Sequence, residues 1–301
     1  MGTGEPVGYR RATPDDAVAC HELMWVSVTD LGRRQGMPLE GTAEEWWRSA
    51  EPLHRLLARI AAEWWVAEEG PSGQLVGFAR SVERDGLLEL TEFFVRPDQQ
   101  ARGVGRALLE GAFPAGRAGV RSIIATTDVR AQARYYAAGA VARFPLYTLG
   151  GPPGEAEPLG DLVPEPIVGE GAIEAQRAIE RSVLGHRRSH EEIRWLMDRR
   201  RGHLYLRDGR AVGFSFLGED GAGPMASLEP SDLPAILLHA EGVARGLGLE
   251  RLELQLPAPN AVGIRHLLSR RYQLDRWINP LMSDRPFGQF DRFVPFSPLL
   301  L

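Results

Sequence analysis

Leu88 to Leu109 reads LELTEFFVRPDQQARGVGRALL, and within it a strand-like run, a glycine loop and a helix follow one another. Leu88 to Val95 is apolar and β-prone apart from two carboxylates, Glu89 and Glu92. Pro97-Asp98 ends the run, because proline cannot donate to a sheet ladder and restricts the residue before it. The loop is Gln100-Ala101-Arg102-Gly103-Val104-Gly105, and from Gly105 the pattern turns helical, with Val104, Ala107, Leu108 and Leu109 on one face. A helix start has unpaired N–H groups and a partial positive charge, and glycines let an anion approach the main chain. The stretch reads as a pyrophosphate cradle.

Two common phosphate loops are excluded. The third glycine of a dinucleotide fingerprint is missing, since Leu108 holds its place. A P-loop needs a lysine, and the chain has none. The loop resembles the Q/R-x-x-G-x-G/A loop of the GNAT acyltransferases, with the Val-x-Pro that precedes it also in register. Downstream, Asp128-Val-Arg-Ala-Gln-Ala-Arg-Tyr-Tyr-Ala-Ala-Gly139 is similar to a second motif of that family, N-x-x-A-x-x-x-Y-x-x-x-G. Asp128, Ala131, Tyr135 and Gly139 take its four positions, with aspartate replacing the usual asparagine.

The resemblance implies an α/β fold with a mixed sheet and helices on both faces, and acetyl-CoA as the acyl donor. It carries the donor's contacts onto Phe94, Val95, Gln100, Ala101, Arg102, Gly103, Val104, Gly105, Arg106, Asp128, Ala131 and Tyr135. Acyl transfer needs a base for the acceptor amine, stabilisation of the developing oxyanion and a proton for the leaving thiolate. Glu89 lies eleven residues before Gln100, where the family's histone acetyltransferases carry their general base. Glu92 falls on the opposite face of a regular strand, and a bulge would change that. Both are also readable as rim carboxylates. An exposed N–H near Phe94 or Val95 would polarise the thioester carbonyl, and Tyr135 is the implied acid, with packing as its alternative role.

Composition sets outer bounds. With 301 residues, 44% of them hydrophobic, the chain is long enough for two cores, so two domains are expected. No apolar run spans a bilayer and Met1 to Arg11 has no signal-peptide core, so the expectation is a cytoplasmic protein off the membrane. Cys20 is the only cysteine, which rules out an intrachain disulfide and a cysteine-based zinc site. A net charge of −5 argues against broad nucleic-acid binding. The missing lysine excludes Schiff-base chemistry on the enzyme. His186 and His190 sit at helical i, i+4 spacing, but no H-E-x-x-H signature accompanies them and no metal is expected. Arg199 to Arg201 reads as a helix end.

Along the chain, Val7 to Ala12 is a strand and Thr13-Pro14-Asp15-Asp16 caps a helix to about Leu31. Thr42-Ala-Glu-Glu45 is a capping box for a second helical region to Ala62, with an interruption expected at Pro52. In the family these helices wall the acceptor site. Trp46, Trp47, Trp64 and Trp65 read as core more readily than as pocket lining. Glu63 to Glu68 and Gln74 to Glu83 form a hairpin, Arg121 to Thr127 a strand parallel to Leu88 to Val95, and Val141 to Leu149 the closing strand of a catalytic domain spanning 1–149. Gly150 to Gly160 has linker composition.

Beyond the linker the chain repeats. Val76-Gly77-Phe78 recurs as Val212-Gly213-Phe214 at an offset of 136, and the Asp128 position answers to Asn260 at 132. The loop after the strand Met225 to Leu228 reads Glu229-Pro-Ser-Asp-Leu-Pro234, which removes donors and adds a carboxylate. The tyrosine position falls on Leu267 and the glycine position on Arg271. Residues 161–301 therefore read as a degenerate GNAT copy. The expected activity is acetyl transfer to a primary amine of a small molecule or peptide, with a homodimer as one expected assembly. The alternative is an acyl-CoA-binding sensor without catalysis.

Overall fold

The structure, a computed structural model, describes residues 6–71, 73–100, 103–155 and 157–301. Contacts divide the chain into two units, one of Met1–Ile123 and Asp128–Ala140, the other of Ile124–Thr127 and Val141–Leu301.

The first unit runs β1 (Val7–Arg11), α1 (Ala17–Arg34), α2 (Ala43–Ile60), β2 (Ala61–Glu69), β3 (Gln74–Arg84), β4 (Leu87–Val95), α3 (Val104–Ala112), β5 (Val120–Ile124) and α4 (Val129–Ala137). Its strands lie in chain order, antiparallel from β1 to β4 and parallel between β4 and β5. The expected caps form: Thr13 and Asp16 make one box, Thr42 and Glu45 the other. Pro52 does not interrupt α2, contrary to the sequence expectation. Proline forfeits one helical hydrogen bond, but breaking the helix there would also expose His54, Leu56 and Leu57, which this face buries.

Cys20, Met24, Trp64, Val66 and Phe78 join the helices α1 and α2 to one face of the sheet in an apolar core. Trp64 is core, as read; Trp47 packs against the same cluster, Trp46 meets Trp25 edge-on, and Trp65 lies against Gly111. Helix α3 covers the opposite face closely. A Cβ on Gly77 would stand 2.8 Å from Leu108 Cδ1, so glycine sets the depth of that contact.

The second unit runs β6 (Val141–Gly151), β7 (Val163–Pro166), α5 (Gly169–Leu184), α6 (His190–Arg199), β8 (Arg201–Arg207), β9 (Arg210–Gly218), β10 (Gly221–Ser227), α7 (Leu233–Gly246), β11 (Leu252–Pro257), α8 (Ala261–Ser269), β12 (Gln273–Ser283) and β13 (Phe293–Val294). One of its sheets has the order β13-β10-β9-β8-β7. In the other, β6 lies between β11 and β12, antiparallel to both. The sequence reading ended the first domain with this strand. It pairs instead inside the second unit, where Leu149 opposes Leu254 and Leu274; alternation identifies a strand and its buried face, but not its neighbour. Of the expected linker, Gly150 and Gly151 complete β6, residues 152–155 and 157–159 have no regular structure, and Ala156 lies outside the described residues.

The repeat read from sequence has a geometric counterpart. Gly213 stands under α7 as Gly77 stands under α3, its Cβ position 2.5 Å from Ile236 Cδ1. Phe214 opposes Ala226 as Phe78 opposes Phe94. Asn260 caps α8 as Asp128 caps α4, each by accepting from a backbone N–H of the first turn. Arg271 has φ +70° where Gly139 has φ +88°. No described helix is long and apolar enough to cross a membrane.

Candidate functional site

The two glycines of the loop do different jobs. Gly103 caps α3 at φ +89°, a left-handed conformation that favours glycine, and a Cβ there would meet nothing within 4 Å. The position a side chain would take there is therefore open. Gly105 is crowded, its Cβ position 3.0 Å from the Phe93 ring, and serves close packing of α3 on β4. Arg106 and Ala107 donate back to the Gly103 carbonyl, at 3.0 and 3.3 Å. The amides of Val104 and Gly105 precede these first helical bonds, as the opening amides of any helix do. Gln100 donates weakly to the Val95 carbonyl at 3.4 Å, and its buried Oε1 has no partner among the described residues. Arg106 is exposed and paired with Glu110 at 2.8 Å. Ala101 and Arg102 lie outside the described residues.

Strand β4 leads into this loop with one edge only partly used. It pairs with β3 over its whole length, but with β5 only from Leu87 to Glu89. Past Glu89 no strand among the described residues of the first unit takes the far edge, and Phe93, Phe94 and Val95 are half-buried. Tyr135 stands beside this edge on α4. It is 4% exposed, meets the Phe93 ring edge-on at 5.7 Å, and its hydroxyl has no protein partner among the described residues. Burial first, then the charge of Asp128, holds its phenol above the usual range, so it keeps its proton. Asp128 accepts from the Arg130 amide at 2.9 Å and pairs with Arg34 at 3.0 Å. Burial raises its pKa, yet the Arg130 and Arg34 hydrogen bonds bring it below the ordinary carboxylate value. Ala131 lies half-buried on the same helix.

A bulge at Thr91 settles where the two carboxylates point. Leu90 opposes Ser81 and Glu92 opposes Arg80, so one residue of β4 is extra. Glu89 and Glu92 then oppose Val82 and Arg80, two residues apart on β3, and share a face. Glu89 is buried against Arg84 at 2.7 Å, where both strand edges are paired. Glu92 sits where the far edge has come free. Arg80 Nε approaches it at 3.0 Å and His54 Nδ1 at 3.1 Å, all three groups fully buried.

From Glu92 a line of imidazoles continues under the two helices. His54 Nε2 is 3.4 Å from His21 Nδ1, and His21 Nε2 is 3.1 Å from the Ala43 carbonyl. Trp47 stacks over His54 with ring centroids 5.8 Å apart, and Arg80 lies over Trp64 at 4.0 Å while donating to the His54 carbonyl. Burial pushes the Glu92 carboxyl up, but Arg80 and then His54 outweigh it and leave it below its ordinary value. Burial lowers the His21 pKa against the opposing effect of the Ala43 carbonyl. Sequence reasoning missed His21, His54 and Arg80. The available signal was a histidine on the buried face of each helix, with no local motif to give it meaning.

The remaining sequence candidates are engaged in other protein contacts. Glu170, Glu174 and His190 bring ligand atoms within 4.8 Å of one another, but Arg177 puts its own charge there, 2.6 Å from His190 Nε2 and paired with Glu174. His186 is buried beside Phe287. Arg199 lies over Trp195, and Arg200 pairs with Asp220 and donates to the Gly221 and Gly223 carbonyls. In the second unit the start of α7 already has an anion: Asp232 is buried there and bound by Arg207 at 2.8 Å. Leu267 is fully buried where the first unit has Tyr135.

Residues 61–139 match a family profile described as acetyltransferase (GNAT) domain. Among solved structures, a putative acetyltransferase from Pyrococcus horikoshii is similar over 100% of this chain and 97% of its own, with a TM-score of 0.73 at 16% identity. A GCN5-related N-acetyltransferase from Sphaerobacter thermophilus aligns over 93% of this chain and 96% of its own, with a TM-score of 0.63 at 18% identity. A tandem GNAT protein from the clavulanic acid biosynthesis pathway covers 93% of this chain and 99% of its own, with a TM-score of 0.55 at 15% identity. No curated protein matches the sequence. At these identities the likeness establishes the fold, which is that of a two-domain GNAT protein.

Proposed function

We propose that this chain, a two-domain protein of the GNAT superfamily, uses its first unit to transfer an acetyl group from acetyl-CoA to a primary amine of a small molecule or peptide. One observation carries the reading: the free edge of β4 runs from the Glu92 cluster, past Tyr135, to the open glycine start of α3. A base, an acid and a loop for the donor's diphosphate thus lie in one line, along a strand edge whose amides can meet the oxyanion. The amides of Gly103, Val104 and Gly105 hold the diphosphate, and the unpartnered Gln100 Oε1 is free to accept from the donor's polar arm.

Glu92 is the base this reading favours over Glu89, because Glu89 lies where both edges of β4 are paired. As the amine nitrogen bonds to the acyl carbon, Glu92 takes its proton, with Arg80 and His54 holding the carboxylate in place. A β4 amide on the free edge donates to the developing oxyanion. The carbon–sulfur bond breaks and Tyr135 gives its proton to the departing sulfur. No covalent enzyme intermediate forms.

Continuous thiol release from acetyl-CoA, dependent on an added primary amine, tests the proposal. Saturable acetyl-CoA binding with no amine-dependent release, across a panel of small amines and peptide N-termini, would make the chain a sensor instead.

A further inference from the structure

The second unit has the same groove, and its own chain fills it. Strand β10 pairs with β9 on one edge, and on the other Met225 and Ala226 pair antiparallel with Val294 and Phe293. Ala226 is the counterpart of Phe94, so β13 lies along the edge that β4 leaves free in the first unit. Asn260, in the place of Asp128, donates its side-chain amide to the Phe293 carbonyl at 3.2 Å.

The segment continues across the unit. Phe293 and Val294 are fully buried, Phe296 lies under the Arg200 guanidinium at 4.3 Å and edge-on to Trp195, and Arg188 donates to the Leu301 carbonyl. It therefore runs from the start of α8 to α6, the counterpart of the line from Asp128 to α2 in the first unit. We propose that Phe293–Leu301 is an internal occupant of the second unit's ligand groove, held by strand addition, and that it keeps that groove closed to acyl-CoA.

The chemistry favours a peptide there. Strand addition needs only alternating N–H and C=O groups and apolar pockets, which Phe293–Leu301 supplies. A diphosphate would meet Asp232 and two prolines in place of a glycine start. The occupant is also tethered, so its effective concentration exceeds that of a free ligand.

The inference rests on the proposed function in taking the β4 edge as the acyl-CoA site, and hydrogen exchange on the intact chain separates the two. Without ligand, the Met225 amide, which faces β13, should exchange at least about tenfold more slowly than those of Phe93 and Val95, which face the free edge of β4. Acetyl-CoA should slow Phe93 and Val95 and leave Met225 unchanged. Slowing of Met225 by acetyl-CoA, or fast exchange there from the outset, would overturn the internal occupant. No effect at Phe93 and Val95 would instead remove the proposed function. As a second measurement, a chain lacking residues 293–301 should bind the synthetic peptide FVPFSPLLL at one site per chain. If that chain does not fold, the full chain cleaved within residues 284–288 should exchange its own segment for labelled peptide, and failure to do so contradicts the proposal.

Discussion

The two units repeat one backbone and differ in what they leave unsatisfied. In the first, the helix start after β4 is a glycine turn, and among the described residues the strand edge is open and the tyrosine hydroxyl has no protein partner. In the second, Asp232 lies buried at the helix start in a pair with Arg207, β13 pairs the edge and Leu267 stands in the tyrosine position. The second unit thus shares the packing glycines and helix caps of the first but not the groups proposed to meet a ligand. Buried and unpartnered polar groups cost stability, and the first unit's are explained if a ligand completes them.

Removing the chemistry from the first unit should have the largest effect. Tyr135→Phe should lower kcat by about 10² to 10⁴ with acetyl-CoA affinity unchanged, and Leu267→Ala should leave the ratio of kcat to affinity as it was. Unaltered turnover of Tyr135→Phe, when chemistry limits the rate, would return the tyrosine to packing. Glu92→Gln should slow turnover by about 10² and displace the acid limb of the pH profile. It also leaves Arg80 buried without its carboxylate, so a loss of about 3 kcal/mol in denaturant unfolding should accompany it. A shift of that limb in Glu89→Gln alone would move the base to Glu89.

A smaller effect is pH-dependent and can be followed in the first unit by substitution. Glu92 and His21 both have folded-state pKa values below their ordinary 4.5 and 6.5. Each then contributes stability that is full above its ordinary value and is lost as pH falls through the lowered one. Destabilisation of the first unit should begin below about pH 6.5 through His21 and steepen below about pH 4.5 through Glu92. Urea midpoints of wild type and His21→Gln between pH 7 and 4 would check this; parallel curves would contradict it.

The smallest effect has opposite signs at equivalent positions. Arg271 pays the left-handed penalty that Gly139 avoids. Arg271→Gly should stabilise the chain by about 0.5–1 kcal/mol and Gly139→Ala should destabilise it by about 1 kcal/mol. Equal signs would mean that the two turns are not equivalent.

The local elements were legible in the sequence because their residues are near neighbours: Gly103 and Gly105 do open a helix, and Asp128 and Tyr135 do share one helical segment. The repeat was legible for the same reason, through Gly77 and Gly213. His21 and His54 reach Glu92 from two separate helices, and no spacing along the chain encodes that meeting. The partner of β6 and the pairing of Phe293–Val294 with β10 depend on long-range strand choice, which alternation leaves open. Pro52 illustrates a third limit, since tertiary burial of one helix face overrode a local breaker.

Titration with acetyl-CoA by calorimetry tests the difference between the units most directly. The account predicts saturation at one site per chain, and no binding in Gly103→Glu, whose side chain brings bulk and negative charge to the open helix start. Two sites per chain, or residual binding in that variant, would contradict it.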